Sequence, residues 1–507
     1  MLRHLTALVA PLTLASLASA QATELRSTTP ASGGAFQEFG ASLALDGDVA
    51  LVGAPGDTAF GSFSGAAHVL RFVGGAWTLE QKLFASDAET GAGFGRAVAV
   101  VGDVAFVAAP DEDNANGIDA GAVYVFRRDP VTAIWSEEQK LVAASGAAGD
   151  GLGRSIAASG DLLIAGAPRS DLVAADGGVA VVWRFDAGAG AWSEEAQLLD
   201  PDGAAGDEAG SAVAFDGVTA LVGSPFSDES AVAAAGSVAV WSESGGSWSS
   251  AAELRAVPPE AFASFGGAVA IDGDDVLIGA PLEDGGGAVD HGAAWFFARV
   301  AGTWYLRNHI ANPAPAAHDE FGARVALRGN TALIASPSDD GGGKLDGGAA
   351  FTVRHGRKYW YLDQELGASD VALLDKFGSA VAAGPLHLLV GAPLNNTSVG
   401  SNTGVVYEWT PLELDLDIDP LAPAPGQTIT MTAFDGEPGA PLMIVVDEID
   451  GTPVWLELIL DVFAVDHRYA LDVDATNPLF GATIGVRALK ISPTGPVVLS
   501  PRVLVDV

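Results

Sequence analysis

The chain has 507 residues, of which 64 are glycine, 3 are methionine and none is cysteine, and 49% are apolar. The missing cysteines exclude disulfides, thiolate catalysis and thiolate metal sites, while abundant glycine with scarce methionine points away from a helical protein and toward many short strands joined by tight turns. With 25 basic against 64 acidic residues the formal net charge is −39, a field that repels nucleic acid and anionic membranes and favours cations.

Residues 1–20 read as a secretory signal. Arg3 and His4 form a short basic region, Leu5 to Leu17 an apolar run, and Ala18 and Ala20 the small-residue site, with cleavage near Ala20 or Ala22. Pro11 and the small residues argue against a core helix. No later stretch reaches the roughly 18 uncharged apolar residues of a membrane-spanning helix, so the expected product is secreted or held at the cell surface by its partners, without membrane insertion. An exported chain of this size without disulfides fits a bacterial source.

From residue 39 the sequence repeats. The pattern opens on Phe-Gly, runs through a short alternating strand to a glycine-containing turn, and continues through a second strand into Gly-Ala-Pro. The copies start at Phe39, Phe94, Leu152, Ala209, Phe265, Phe321 and Phe377, at spacings of 55, 58, 57, 56, 56 and 56. The matching prolines, Pro55, Pro110, Pro168, Pro225, Pro281, Pro337 and Pro393, each lie 16 residues after the start of their copy. In the first copy Ala41–Leu45 alternates, Asp46-Gly47 suits the left-handed conformation of a tight hairpin turn, and Val49–Val52 returns. After a variable loop a glycine introduces the third strand, as in Gly65 to Phe72. A fourth strand follows a tryptophan in six copies, at Trp77, Trp135, Trp192, Trp248, Trp304 and Trp360. Four strands per copy make one blade, and the fold expected for residues 22–410 is an all-β, seven-bladed β-propeller.

The seventh copy stops at Trp409 and lacks a fourth strand. Ala22–Ser27 resembles the fourth-strand segment Ala251–Ala256, and each precedes a Phe-Gly start, so the N-terminal strand is expected to complete the last blade and close the ring. Closure removes a free sheet edge. Beyond Pro411 the period ends. Alternating runs at Leu412–Asp417, Thr428–Ala433, Pro441–Val446, Val454–Leu460, Thr483–Leu489 and Val497–Val507 predict a small immunoglobulin-like or fibronectin-like β-sandwich over residues 411–507.

These copies resemble the FG-GAP repeats of integrin α-chains, over roughly residues 23 to 410. The resemblance implies an extracellular ligand-binding or adhesion platform, often with calcium in the blades. The family's calcium cage, an Asp-x-Asp-x-Asp-Gly-x-x-Asp type of loop, sits between the first and second strands. Here that connection is only Asp46-Gly47-Asp48, or its equivalents at Gly102, Gly160, Gly217, Gly273, Gly329 and Gly384. The constant spacing leaves no room for the cage, so calcium at that position is not carried over.

The remaining candidates for chemistry lie in the loops between second and third strands. Asp111, Asp113, Asn114, Asn116 and Asp119 crowd one loop, Glu283, Asp284, Asp290 and His291 another, and Asp339, Asp340 and Asp346 a third. Calcium takes six to eight oxygens, and Asp111, Asp113 and Asp119 hold the first, third and ninth positions of such a loop. They are the calcium candidates, although Ala115 withholds the fifth ligand and a solvated acidic loop is the favoured account of the pattern. No H-E-x-x-H pair, nucleophile elbow or phosphate loop occurs. Gly341-Gly342-Gly343-Lys344 lacks both the hydroxyl and the strand-to-helix context of the last. His68 and His387 sit in strand patterns as packing residues, and the tryptophan column has one shared packing role at the blade edge. The expected function is a secreted, non-catalytic binding or adhesion protein that presents variable acidic loops to an extracellular polysaccharide or surface protein. The alternatives are a polysaccharide lyase or hydrolase, and a structural component of the cell surface or matrix.

Overall fold

The computed structural model describes residues 36–409 apart from Pro201, Gly286, 341–343, Arg357, Lys358, Ser369, Val371, Ser398 and Val399. Outside that range it describes strand positions alone, at 23–26 and between 416 and 506. The signal region 1–20 and the glycines 341–343 lie outside the described residues. Every regular element among the described residues is a β-strand.

The first blade shows how a copy folds. Its strands Ser42–Asp46, Val49–Ala54, Ala66–Val73 and Ala76–Leu83 form one antiparallel sheet in chain order. Val49–Ala54 is buried along its whole length, because both faces of this continuous apolar run are covered by neighbouring blades. Asp46 pairs with Val49, leaving Gly47-Asp48 as a two-residue loop in which Gly47 takes the left-handed conformation (φ +57°). Between the third and fourth strands the register slips at one place in each of the first six blades, as at Val69/Leu70 and Val125/Phe126. A bulge increases local twist, and its recurrence gives all six blades the same twisted outer edge.

Seven four-stranded sheets are built this way. Their inner strands, from Ser42–Asp46 to Ala380–Ala383, contact one another in succession, and the last touches the first. The core lies between blades. Val49 and Leu51 of the first blade cluster with Val98, Val107 and Trp135 of the second, and Phe39, Val52 and Leu70 cluster with Leu389 and Val406 of the seventh. Each Phe-Gly start is a wedge in such a seam. Phe39, Phe94, Phe265, Phe321 and Phe377 are all within 1% of complete burial, and burying a side chain of this size contributes about 1.5–3 kcal/mol.

The ring closes with a bond that recurs at five of the other six seams. The Phe39 amide donates to the Thr403 carbonyl at 3.1 Å, as Phe321 does to His291 and Phe377 to Gly347, both at 3.0 Å. At this seam Gly40 is left-handed (φ +92°), and a Cβ on Gly391 would meet the Gly40 carbonyl oxygen at 2.0 Å. Thr23–Arg26 is the outer strand of the seventh sheet, beside Val405–Trp409. His387, from that blade, packs on Phe72 and Trp77 of the first with ring centroids 4.4 and 5.1 Å apart, and its Nδ1 pairs with Glu408 at 2.5 Å.

The tryptophan column also joins blades. Trp135 Nε1 donates to Glu80 at 2.7 Å and Trp248 Nε1 to Glu195 at 2.9 Å, each acceptor lying in the preceding blade. Trp192 meets Phe106 edge-on at 5.1 Å, and Trp360 stacks on Phe296 at 4.6 Å.

Glu24–Pro411 form one compact unit, and Leu412–Val507 belong to a second. The C-terminal strands pair into a three-stranded sheet (Leu416–Asp419, Thr428–Phe434, Arg468–Asp474) and a five-stranded one that includes Pro441–Ile449, Thr452–Val462 and Thr483–Lys490. Their connections and side chains, and with them the expected sandwich packing, lie outside the described residues.

Candidate functional site at the channel mouth

The acidic loops have an internal job. Asp113 Oδ1 accepts a hydrogen bond from the Asp119 amide at 2.9 Å, and the Ala234, Asp290, Asp346 and Asn402 amides donate likewise to Asp228, Asp284, Asp340 and Asn396, at 2.8–3.0 Å. In the third blade Asp171 serves Asp176 at 2.9 Å. Every amide so held belongs to a residue with φ between +47° and +51°. Such a conformation is costly for a residue with a side chain, and the bond holds it in place. Asp113 is therefore a loop clamp. Asp111 stands apart at the channel, and among the described residues no group of three or more His, Asp or Glu is arranged to hold a metal ion. The structure does not bring Asp111, Asp113 and Asp119 together as one group of side-chain ligands. In the fifth-blade loop, Glu283 accepts from Trp295 Nε1 at 2.9 Å and pairs with His309 at 2.7 Å, while His291 Nδ1 bonds the Gly292 carbonyl at 2.8 Å.

The inner strands enclose a channel that opens on the rim carrying these loops, into a cavity of about 820 Å³. Two sets of positions line it: the residues that follow Phe-Gly, and those that follow the second-strand proline. A buried wedge and a left-handed glycine (φ +94° at Gly95, +93° at Gly153) turn the next residue toward the axis. That residue is Arg96 in the second blade and Arg154 in the third. Arg169 follows Pro168, and Arg324 opens the sixth inner strand. Lys376, before the seventh Phe-Gly, completes a set of five cations on the cavity wall. Five carboxylates share it: Glu38, Asp111, Asp150, Glu208 and Glu320.

The four arginines differ from those on the outside of the ring. Arg71 pairs with Asp48 and Glu80, Arg184 with Asp161, Glu195 and Glu243, and Arg354 with Asp363. Arg96, Arg154 and Arg169 have no side-chain hydrogen bond and no ion pair among the described residues. Arg324 donates only to the Ser379 and Ala323 carbonyls, at 3.0 and 2.7 Å. Lys376 is committed, to Asp346 and Ser338, both at 3.0 Å.

The channel's electrostatics follow. Enclosure by the walls pushes the Arg154 pKa down, and the strongest charge acting on it is Arg96, which pushes the same way against Asp111. Arg324 is open to channel water yet ringed by protein. Its pKa is also held down, first by that enclosure and then by Arg154, against Glu320. A guanidinium stays charged at any physiological pH, so these shifts mark positive charge that Asp111 and Glu320 offset from a distance without a direct ion pair. Burial raises Glu38 and Glu208 above the usual carboxylate range, against Arg96 for the first and Arg169 for the second. Asp150 is raised by burial as well, although it accepts from the Ala147 amide at 2.9 Å.

The sequence reading found Asp111 but not its neighbours. The signal it passed over is positional. Basic residues are scarce in this chain, yet Arg96, Arg154, Arg169 and Arg324 all fall within three residues of a Phe-Gly start or a second-strand proline.

No curated protein matches this chain. The periplasmic gluconolactonase PpgL of Pseudomonas aeruginosa is similar in structure at 16% identity and a TM-score of 0.45, over 65% of this chain and 85% of that one. Sqt1 of Saccharomyces cerevisiae is similar at 9% identity and a TM-score of 0.44, over 78% and 93%. The family described as FG-GAP repeat matches seven times, at residues 23–70, 77–126, 135–182, 192–241, 248–297, 304–353 and 360–407. Each match runs from the outer strand of one blade through the third strand of the next, at the period of the blades, and the chain belongs to the FG-GAP repeat family.

Proposed function

We propose that this protein is an exported, non-catalytic binding protein whose ligand, an extracellular polysaccharide or surface protein, docks on the propeller rim at the channel mouth. The observation that carries the reading is the set of unpaired arginines in a cavity surrounded by clamped loops. Guanidinia without an ion-pair partner at a concave site are groups a ligand would complete. Clamped loops lose little entropy when a partner docks, which favours affinity. The closed ring adds a rigid frame, although the step from fold to function is by analogy, since propellers host many activities.

The test is binding of the purified protein to an array of polysaccharides and cell-envelope fractions, with calcium and with a chelator. The expected result is specific binding that a chelator leaves intact, because the acidic loops clamp themselves. Binding abolished by chelator contradicts that assignment of the loops, and no binding to any fraction contradicts the proposal.

One observation favours a second reading, a polysaccharide lyase or hydrolase. Glu38 and Glu208 are carboxylates with raised pKa in the same cavity, the form suited to a general acid. Shortened chains after incubating a bound polymer with the protein would establish it; an unchanged chain length leaves the binding reading.

A further inference from the structure

We infer that the ligand of the channel mouth is a carboxylate-bearing saccharide, the uronic acid units of an acidic polysaccharide, held by Arg96, Arg154, Arg169 and Arg324. The inference rests on the binding reading above and names its ligand class.

Two features of the cavity, taken together, select this chemistry. The first is cation without a direct protein partner. Arg96, Arg154 and Arg169 form no ion pair or side-chain hydrogen bond among the described residues, and the strongest charge felt by Arg154 and by Arg324 is another arginine. These residues come from the second, third and sixth blades, so the channel brings together guanidinia from opposite sides of the ring. In a chain of net charge −39, carboxylates were available to neutralise them, as they do for Arg71 and Arg184 on the outside. A planar fork of donors is the natural partner of a carboxylate.

The second feature is the ring of acceptors around them. Glu38, Asp111, Glu208 and Glu320 face the same cavity without a salt bridge to the arginines. A bare inorganic anion would gain nothing from these carboxylates and would be repelled by them. A ligand that carries hydroxyl donors beside its carboxylate suits both sets, because ionised carboxylates are acceptors only. Uronic acid units have that combination on every ring. The volume, about 820 Å³, is within the range of sites that enclose small ligands, and the open rim lets a polymer continue outward over the loops.

The test is calorimetric titration of the full chain with a short oligogalacturonate, its methyl ester, citrate and inorganic phosphate. The ester keeps rings and hydroxyls but removes the charge. The expected result is binding of the acid oligomer, at least tenfold weaker binding of the ester, and weaker binding still of citrate and phosphate. Arg154→Gln and Arg169→Gln should each weaken the oligomer at least tenfold, whereas Arg127→Gln, on the outer surface in a pair with Glu138, should leave it unchanged. Arg169 follows the second strand rather than lying within the inner ring, so its variant stays informative if Arg154→Gln lowers the melting temperature. Equal binding of acid and ester would overturn the role of the guanidinia. Citrate or phosphate binding as tightly as the oligomer would overturn the saccharide. If the oligomer fails to bind while the array returns another ligand, the ligand class falls and the binding function stands. If neither binds, both fall.

Discussion

His68 shows how much a single buried group can reveal. It lies in the third strand of the first blade at 1% exposure, edge-on to Phe39 with centroids 5.1 Å apart, and neither ring nitrogen has a hydrogen-bond partner among the described residues. Burial, helped by Lys82 and opposed by Asp57, depresses its pKa to about 3. Because the unfolded chain takes up this proton near pH 6.5 and the folded chain does not, the stabilisation is complete above that value. It is lost as pH falls toward 3, at a slope approaching about 1.4 kcal/mol per pH unit. Denaturant unfolding at several pH values between 7 and 4 should show this slope, and His68→Leu should flatten it. An identical pH profile in the variant would mean that another group carries the acid sensitivity. That His68 packs rather than ligates was legible from its strand position; its missing hydrogen bonds were not, since they depend on what the neighbouring blade presents.

At the scale of strands and seams, the account predicts where the ring is least forgiving. Gly391 faces the Gly40 carbonyl across the closing seam, with 2.0 Å available to a Cβ. The same approach recurs at Gly53, Gly166, Gly223 and Gly279, at 1.9–2.2 Å, whereas Ala108 and Ala335 occupy the corresponding place in the second and sixth blades. Gly391→Ala should destabilise by about 1–3 kcal/mol, the range for overpacking; an unshifted denaturation midpoint would show that the closing seam is loose. Deleting residues 22–27 removes the outer strand of the seventh sheet and leaves Val405–Trp409 as an unpaired edge. The melting temperature should fall by several degrees and aggregation should rise, and unchanged unfolding would refute closure by this strand. Blade number, strand order and the closing strand could all be read from the sequence, because Phe-Gly, the turn glycine and the proline recur in one register and each has a steric reason for its place. The acidic loops were legible only as composition. Asp113 suggested a metal ligand, and in the structure its carboxylate holds the backbone, a bond whose recurrence in other blades becomes visible once Asp119 and its equivalents are known to be left-handed.

The channel mouth belongs to the scale of the whole molecule, and for that reason it was the least legible part. Arg96, Arg154 and Arg324 are far apart in the chain, and only closure of the ring makes them neighbours. Net charge was misleading in the same way: a field of −39 argued for cations, whereas the axial cavity concentrates unpaired arginines. The two scales can be separated by salt. At ~0.01 M ionic strength the Debye length of about 30 Å lets the whole acidic surface repel an anionic oligomer, while at ~0.15 M it shrinks to about 8 Å and the arginines inside the cavity still act at contact. The association rate of an oligouronate should therefore rise with salt over this interval, the reverse of electrostatic steering by a basic surface. A rate that falls with salt would place the contact on some exposed cationic patch instead.

The most direct test of the central claim, that the ring binds at its channel mouth, is hydrogen exchange on the full chain with and without the ligand the array returns. The account predicts new protection concentrated in residues 38–43, 96–98, 150–156, 168–169 and 320–325, which belong to the cavity wall. Protection confined to the outer fourth strands or to residues 416–506, with these segments unchanged, would contradict it.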